Sequence, residues 1–540
     1  MKRRLFFMSG VMIACAPWAA PKRSPGHPKP PDPQFQSSDR CFACHNGLTT
    51  ASGRDVSIGF DWRASMMANS SRDPYWQASI RREALDHPES LATVEDECTI
   101  CHMPIPRFES KTRGEKGSAF SHLPIGAEDD RAAADGVTCS VCHQIAKDNL
   151  GARESFNGNF AVRGPGDDGL RAEYGPFKIE NGQTRIMWSS TEGYRPTESD
   201  HIRKSELCAT CHTLITKAVG EGGKIIGSVA EQMPYQEWLH SDYREKKSCQ
   251  DCHMPTVQEP VQIAKVLGVK REGLHRHAFV AANFFMQRML NRYRGDLSVW
   301  ALPNELSRAA DETVQFLQSR AATVAIEKVS TQAGRLQAEV VVRNLGGHKL
   351  PTAYPSRRAW LHIAVRDRNS RVVFESGALQ PDGSIAGNDN DADPARFEPH
   401  YTEITNNGQV QIFEDILGDE HGRVTTGLLA GVGYLKDNRL LPDGFDKQTA
   451  DKEIAVIGSA HDDPDFRAGS DRVRYSVSID SGAGPFTVEA ELLYQPIGFR
   501  WANNLKRYNS AIEPRRFTTY YDSMQASTAV RLAQALASSP

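Results

Sequence analysis

The sequence predicts an α+β multidomain protein, in which a loop-rich, mostly helical module is followed by a β-sandwich domain. Three observations carry that expectation. Of eleven cysteines, ten fall in five C-x-x-C-H units between Cys41 and His253, and none follows Cys252. From about Leu306 a helical spacing of apolar residues gives way to strict alternation. The alternating runs are separated by Gly-, Asp- and Asn-containing turns, which suits a sandwich. The 540 residues suffice for several domains, and a net charge of −3 gives no reason to expect a nucleic-acid partner.

Residues 1–14 read as an export signal. Lys2, Arg3 and Arg4 precede the apolar run "LFFMSGVMIA", which is too short to span a membrane. Small residues before Cys15 resemble a bacterial lipoprotein box, making Cys15 a lipidated first mature residue. Ordinary cleavage is the bland reading, but the nearest small-x-small site, Ala14 to Ala16, would leave the disfavoured Pro17 first. Residues 15–36 are proline-rich ("APWAAPKRSPGHPKPPDPQFQ") and form an extended tether. These features predict an exported protein, periplasmic or attached to the outer membrane of a bacterium by its lipid.

Residues 37–295 hold the five units: Cys41, Cys44 and His45; Cys98, Cys101 and His102; Cys139, Cys142 and His143; Cys208, Cys211 and His212; Cys249, Cys252 and His253. Cysteines three apart share one face of a helical turn. Their sulfurs can take the two vinyl groups of one haem, and the following histidine can bind the iron. Disulfides need no such histidine, structural zinc uses paired units and would leave one over, and thioredoxin-like motifs occur singly. Five covalent c-type haems are therefore expected, their flat apolar bodies filling a core lean in side chains.

The second iron ligands are expected from histidines near the motifs. His201, His122 and His87 are candidates, as is one of the pair His275 and His277, with His277 preferred. His240 reads more readily as cover for a haem edge. In "DWRASMMANSSRDPYW", Trp62, Ser65 and Met67 resemble the W-x-x-S-x-H stretch of multihaem c-type cytochromes. That superfamily includes the tetrahaem carrier of ammonia-oxidising bacteria and enzymes converting hydroxylamine and nitrite. The resemblance implies a distal ligand at Met67, a thioether in place of the histidine. Met66 is the lesser alternative, and a buried methionine beside an open iron is another. "CHMP", at His102–Pro104 and His253–Pro255, also recurs in that superfamily as a helix-ending turn, and Met103 and Met254 read as packing residues.

Residues 296–322 predict a linking helix, with Leu306, Ala310, Val314 and Leu317 on one face. Residues 323–500 predict the sandwich, with alternation at Leu336–Val342, Leu361–Val365, Val473–Ile479 and Phe486–Leu492. Residues 501–540 form a C-terminal segment with a helix. The G-H-K-x-P-T stretch at Gly347–Thr352 resembles β-domains appended to multihaem cytochromes. His348 there either orders a loop or reaches a haem across the interface, and Arg357 and Arg358 either pair with propionates or form a solvated face. "GNDNDADP" (Asp389, Asp391, Asp393) reads as an acidic turn before a calcium loop, since Pro394 replaces the required glycine.

The expected activity is electron transfer among redox partners such as other cytochromes. The alternatives are an oxidoreductase acting on a small nitrogen or sulfur compound at one open haem, and a binding subunit at the cell surface.

Overall fold

Capping chemistry fixes where the motif helices begin. Thr138 accepts a hydrogen bond from the Val141 amide, and Ser248 forms a reciprocal capping box with Asp251. The structure is a computed structural model describing residues 34–126, 130–180 and 182–539. The signal, Cys15, His27 and most of the tether lie outside the described residues.

Each motif occupies a short helix: Asp39–His45, Leu91–His102, Cys139–Gln144, Ser205–His212 and Cys249–His253. Four of these helices end at the motif histidine itself. At both "CHMP" turns the next residue leaves helical geometry, Met103 at φ −139° and Met254 at φ −122°. Helix Pro74–Asp86 starts from Asp73, whose carboxylate accepts from the Tyr75 and Trp76 amides, with Pro74 in the first turn. Around these helices run long loops and three two-stranded ribbons, the largest pairing Leu214–Val219 with Ile225–Gln232.

Helix Pro303–Arg320 buries Leu306, Ala310 and Leu317 and leads directly into strand Ala322–Gln332. Two larger sheets follow. One has the order Glu403–Ile404, Ser470–Ser478, Arg335–Asn344, Ala322–Gln332. The other has the order Val372–Ser376, Arg358–Arg366, Thr487–Gln495, Val530–Ser538, with Ile412–Phe413 also paired to Arg358–Arg366. Leu336, Ala338, Val340 and Val342 of the first sheet, and Leu361, Ile363, Val365, Val488, Ala490 and Leu492 of the second, are essentially inaccessible and share one apolar core. The alternation read from the sequence thus faces inward from both sheets. A smaller three-stranded sheet contains Asp415–Gly418 and Gly433–Asp437.

The second large sheet does not stop at residue 500. Strand Val530–Ser538 pairs antiparallel with Thr487–Gln495 along its length. Helix Ile512–Asp522, in the same segment, returns to helix Pro74–Asp86, where Arg81 forms a two-pronged pair with Glu513 (2.9 and 2.8 Å). Residues 35–540 form one compact unit. No helix among the described residues is long and apolar enough to cross a membrane.

Candidate functional site

The ten motif cysteines are part-buried and none is in a disulfide. Their placement links the motifs. Cys41 and Cys139 lie close enough to act on each other's ionisation, as do Cys101 and Cys211, and Cys208 and Cys249. Cys142 lies near enough to Cys208 and Cys211 to raise both by charge. The fourth motif therefore neighbours the second, third and fifth, and the third neighbours the first.

Backbone contacts hold these junctions. Ser38, at the start of the first motif helix, accepts from the Cys139 amide (3.2 Å). Ser205 accepts from the Cys249 amide (3.1 Å), and Gln250 donates to the Ile202 and Lys204 carbonyls. Thus the helices of motifs one and three, and of four and five, meet near their N-terminal ends.

Four of the five motif imidazoles donate Nδ1–H to a backbone carbonyl: His45 to Ile263 (2.5 Å), His102 to Ser70 (2.9 Å), His143 to Tyr174 (2.5 Å) and His253 to Val280 (2.6 Å). A carbonyl oxygen can only accept, so Nδ1 carries the proton and Nε2 keeps its lone pair. Burial pushes His102 and His253 down to about 4 and lowers His45, His143 and His212 as well. All five are therefore neutral, as a metal ligand must be. Two thiols on one helical turn beside a bare Nε2 is the donor set of a covalently held haem, and the residues fit that group. Trp76 stacks on His102, ring centres 4.4 Å apart and planes within 5°.

The expected second ligands are placed as follows. His277 faces His143 of the third motif, ring centres 6.2 Å apart and planes 19° from parallel, and burial brings it to about 3. His348 faces His253 of the fifth motif at 6.2 Å and 6°. His122 donates Nδ1–H to Asp130 (2.6 Å), leaving Nε2 bare, and His275 does the same toward the Met254 carbonyl (2.8 Å). His201 has both ring nitrogens engaged, Nε2 with the Ile145 carbonyl (2.8 Å) and Nδ1 with Ser199 (2.7 Å). To ligate, it would have to release one. His87 follows helix Pro74–Asp86 at the surface, half-buried, and His240 bonds to the Gln236 carbonyl in its own turn. Met103 is wholly buried among Trp76, Ile80 and Val94.

Met67 is half-buried in a stretch that braces two motifs. Its carbonyl accepts from the Val137 amide (3.0 Å), and Trp62 donates to the Val137 carbonyl (3.1 Å), just ahead of the third motif. Ser70 holds His102 in the second. Met66 packs against the main core.

Arg358 corrects both sequence expectations for it. It is buried and clasps Asp391 with two bonds (2.8 and 2.9 Å), so it is neither solvated nor free for a propionate. The same contact removes Asp391 from any calcium cage, while Asp389 pairs with Arg396 and Asp393 caps the Ala395 amide. The sequence showed three acids at alternate positions, but their carboxylates diverge. Arg357 donates to the Thr352 carbonyl (2.9 Å), and its charge is felt at His212.

Sequence reading missed a buried trio, His400, Asp463 and Asp471, close enough to hold a metal ion. The amide groups around it argue for hydrogen bonds instead. Gln411 and Asn438 each use their oxygen on a backbone amide, so both present NH2 to His400 Nδ1 (2.8 and 3.1 Å). Nε2 must then carry the ring proton, which it donates to Asp463 (3.1 Å). A metal at Nε2 would require an imidazolate. His400 lies 63 residues from Asp463 and further still from Asp471, and the three share no motif, so no sequence signal could have found them.

No protein-family model and no curated protein sequence matches the chain. Among solved structures, the chain is similar to a penta-heme cytochrome c552 from Thermochromatium tepidum, with a TM-score of 0.50 and 15% sequence identity. The match covers 94% of this chain and 99% of that one. At this identity the likeness shows the fold: helices and several sheets in the arrangement of a multihaem cytochrome, running through both halves.

Proposed function

We propose that the protein is an electron-transfer multihaem cytochrome c of the cell envelope. Five haems would be held by the cysteine pairs at 41/44, 98/101, 139/142, 208/211 and 249/252, with His45, His102, His143, His212 and His253 as proximal ligands. Bound there, each haem supplies a one-electron couple tuned by its axial ligands and their hydrogen bonds. The chain's own part is to set tautomers, exclude water and keep the attachment points together. The observation that carries the reading is that motif helices meet one another: the Cys139 amide donates to Ser38 of the first (3.2 Å) and the Cys249 amide to Ser205 of the fourth (3.1 Å), with Cys41 near Cys139, Cys101 near Cys211 and Cys208 near Cys249. Groups fastened at neighbouring sulfurs have neighbouring edges, which suits relay rather than isolated storage. Met67, His87, His122, His201, and His275 or His277 remain the proposed second ligands. The two C-terminal sheets, read as a β-sandwich, brace the module and present a surface to redox partners such as other cytochromes. Lipidation at Cys15 would tether the body to a membrane outside the cytoplasm.

The decisive experiment is the mass and visible spectrum of purified mature protein. Five haem additions, and reduction of all of them by a single added donor, support the proposal. A colourless protein with the mass of the bare polypeptide overturns it.

One observation favours a second reading, an oxidoreductase with an open iron at the fourth motif. Arg357 lies within electrostatic reach of both His212 and Tyr494, and the buried Tyr494 hydroxyl has no hydrogen-bond partner among the described residues. The Arg357 guanidinium would give a small anion at that iron a positive partner.

A further inference from the structure

We infer that the C-terminal half supplies an iron ligand to the fifth motif through His348. The inference rests on the haem reading above and adds to it a residue from outside the cysteine-bearing region.

The first ground is the geometry of the pair. The rings of His253 and His348 have centres 6.2 Å apart and planes only 6° from parallel. Two metal–nitrogen bonds of about 2 Å, plus about 1 Å from each nitrogen to its ring centre, span roughly 6 Å. The gap therefore fits one metal ion between facing nitrogens, and it is too wide for direct stacking. The His143–His277 pair repeats the spacing at 6.2 Å within the first half of the chain.

The second ground is the proton. His348 Nδ1 donates to the Lys349 carbonyl (2.9 Å), as His253 Nδ1 donates to that of Val280 (2.6 Å). Both rings thus hold Nε2 bare. A metal ion between the two rings would engage both free lone pairs.

The third ground is how firmly the His348 loop is built. Its carbonyl accepts from Asn344 (2.8 Å), whose own oxygen takes the Gly346 amide (2.8 Å). The Lys349 amide donates to Glu237 (3.1 Å), and its ammonium, fully inaccessible, pairs with Asp437 (2.8 Å). Arg439 closes the network onto Glu237 and Asp437. Glu237 belongs to helix Pro234–Leu239, the helix that precedes the fifth motif helix in the chain. Gly347 lies so close to that region that an added Cβ would sit 3.0 Å from Tyr243 and 3.3 Å from Trp238. A buried charge network of this size orients one residue, His348, toward the motif.

The test uses full-length holoprotein carrying His348→Ala or His348→Met. The alanine variant should keep five haem additions by mass while one haem turns from low-spin to high-spin in electron paramagnetic resonance. Its reduced form should bind one more carbon monoxide than the parent, and added imidazole should restore the low-spin signal. The methionine variant should stay low-spin, gain one haem's worth of methionine–iron charge-transfer absorption, and show one potential shifted upward. A parent protein without haem mass would refute the haem reading itself. An alanine variant with full haem mass and unchanged spin states and carbon monoxide count overturns the His348 assignment. If the alanine variant does not accumulate, a methionine variant without the new absorption overturns it equally.

Discussion

Arg276 and Asp61, 215 residues apart in sequence, form a two-pronged ion pair (2.8 and 2.7 Å) with both side chains almost wholly buried. Arg276 lies between His275 and His277, and Asp61 precedes Trp62. Glu312 and Arg308, from the helix leading into the first sheet, join the same pair. The contact therefore ties the segment after the last motif, the Trp62 stretch and the linking helix into one joint.

Removing Arg276 leaves Asp61 buried with only Arg308, so Arg276→Met should destabilise the holoprotein by about 3–5 kcal/mol. Adding Asp61→Asn should recover part of that loss. Denaturant unfolding followed by far-ultraviolet circular dichroism measures both, and equal stability in the single and double variants would refute the joint.

Gly347 tolerates no bulk because Tyr243 and Trp238 are already in contact range. Gly347→Val should push the His348 loop away from the fifth motif. The expected result is partial high-spin character at one haem with the total haem count unchanged, read by paramagnetic resonance.

The buried network around Lys349 gives a pH dependence. Burial opposes ionisation of Asp437, but Arg439 and Lys349 overcome it and hold the carboxyl at about 2, below its ordinary value of 3.8. A depressed folded-state value contributes stability that is fully present above the unfolded value and is lost as pH falls toward 2. Asp437→Asn should therefore be less stable than the parent at pH 6, and the difference should shrink between pH 4 and pH 2. Unfolding midpoints at those pH values test this, and a constant difference would contradict it.

If the fourth iron is open, as the second reading holds, the reduced parent should bind carbon monoxide at one haem quickly and stoichiometrically. Arg357→Met should then weaken binding of small anions such as nitrite at that haem, while leaving the haem count unchanged. A parent that takes up no carbon monoxide supports the carrier and removes the enzyme reading.

Much of this was written locally in the chain. The cysteine pairs lie on helices because C-x-x-C is one helical turn, and the alternating runs at Leu336–Val342 and Phe486–Leu492 became inward-facing strands. What the sequence did not show is pairing over distance. His277 follows the fifth motif in the chain but faces the third. Strand Val530–Ser538, rich in Ala, Leu and Gln, has the composition of a helix, and pairing with Thr487–Gln495 overrides that preference. Arg358 read as a solvated or propionate-pairing charge because its partner, Asp391, lies 33 residues away in a short helix.

The carbonyls that receive the motif imidazoles come from elsewhere in the chain: Ile263 for His45, Ser70 for His102, Tyr174 for His143 and Val280 for His253. Thioether chemistry needs only the pentapeptide, so pigment can be installed on a chain that has no tertiary contacts. Choosing which ring nitrogen keeps its hydrogen waits for those remote segments to arrive. Maturation would thus have two separable clocks, a covalent one that colours the polypeptide and a conformational one that sets the driving force at each centre.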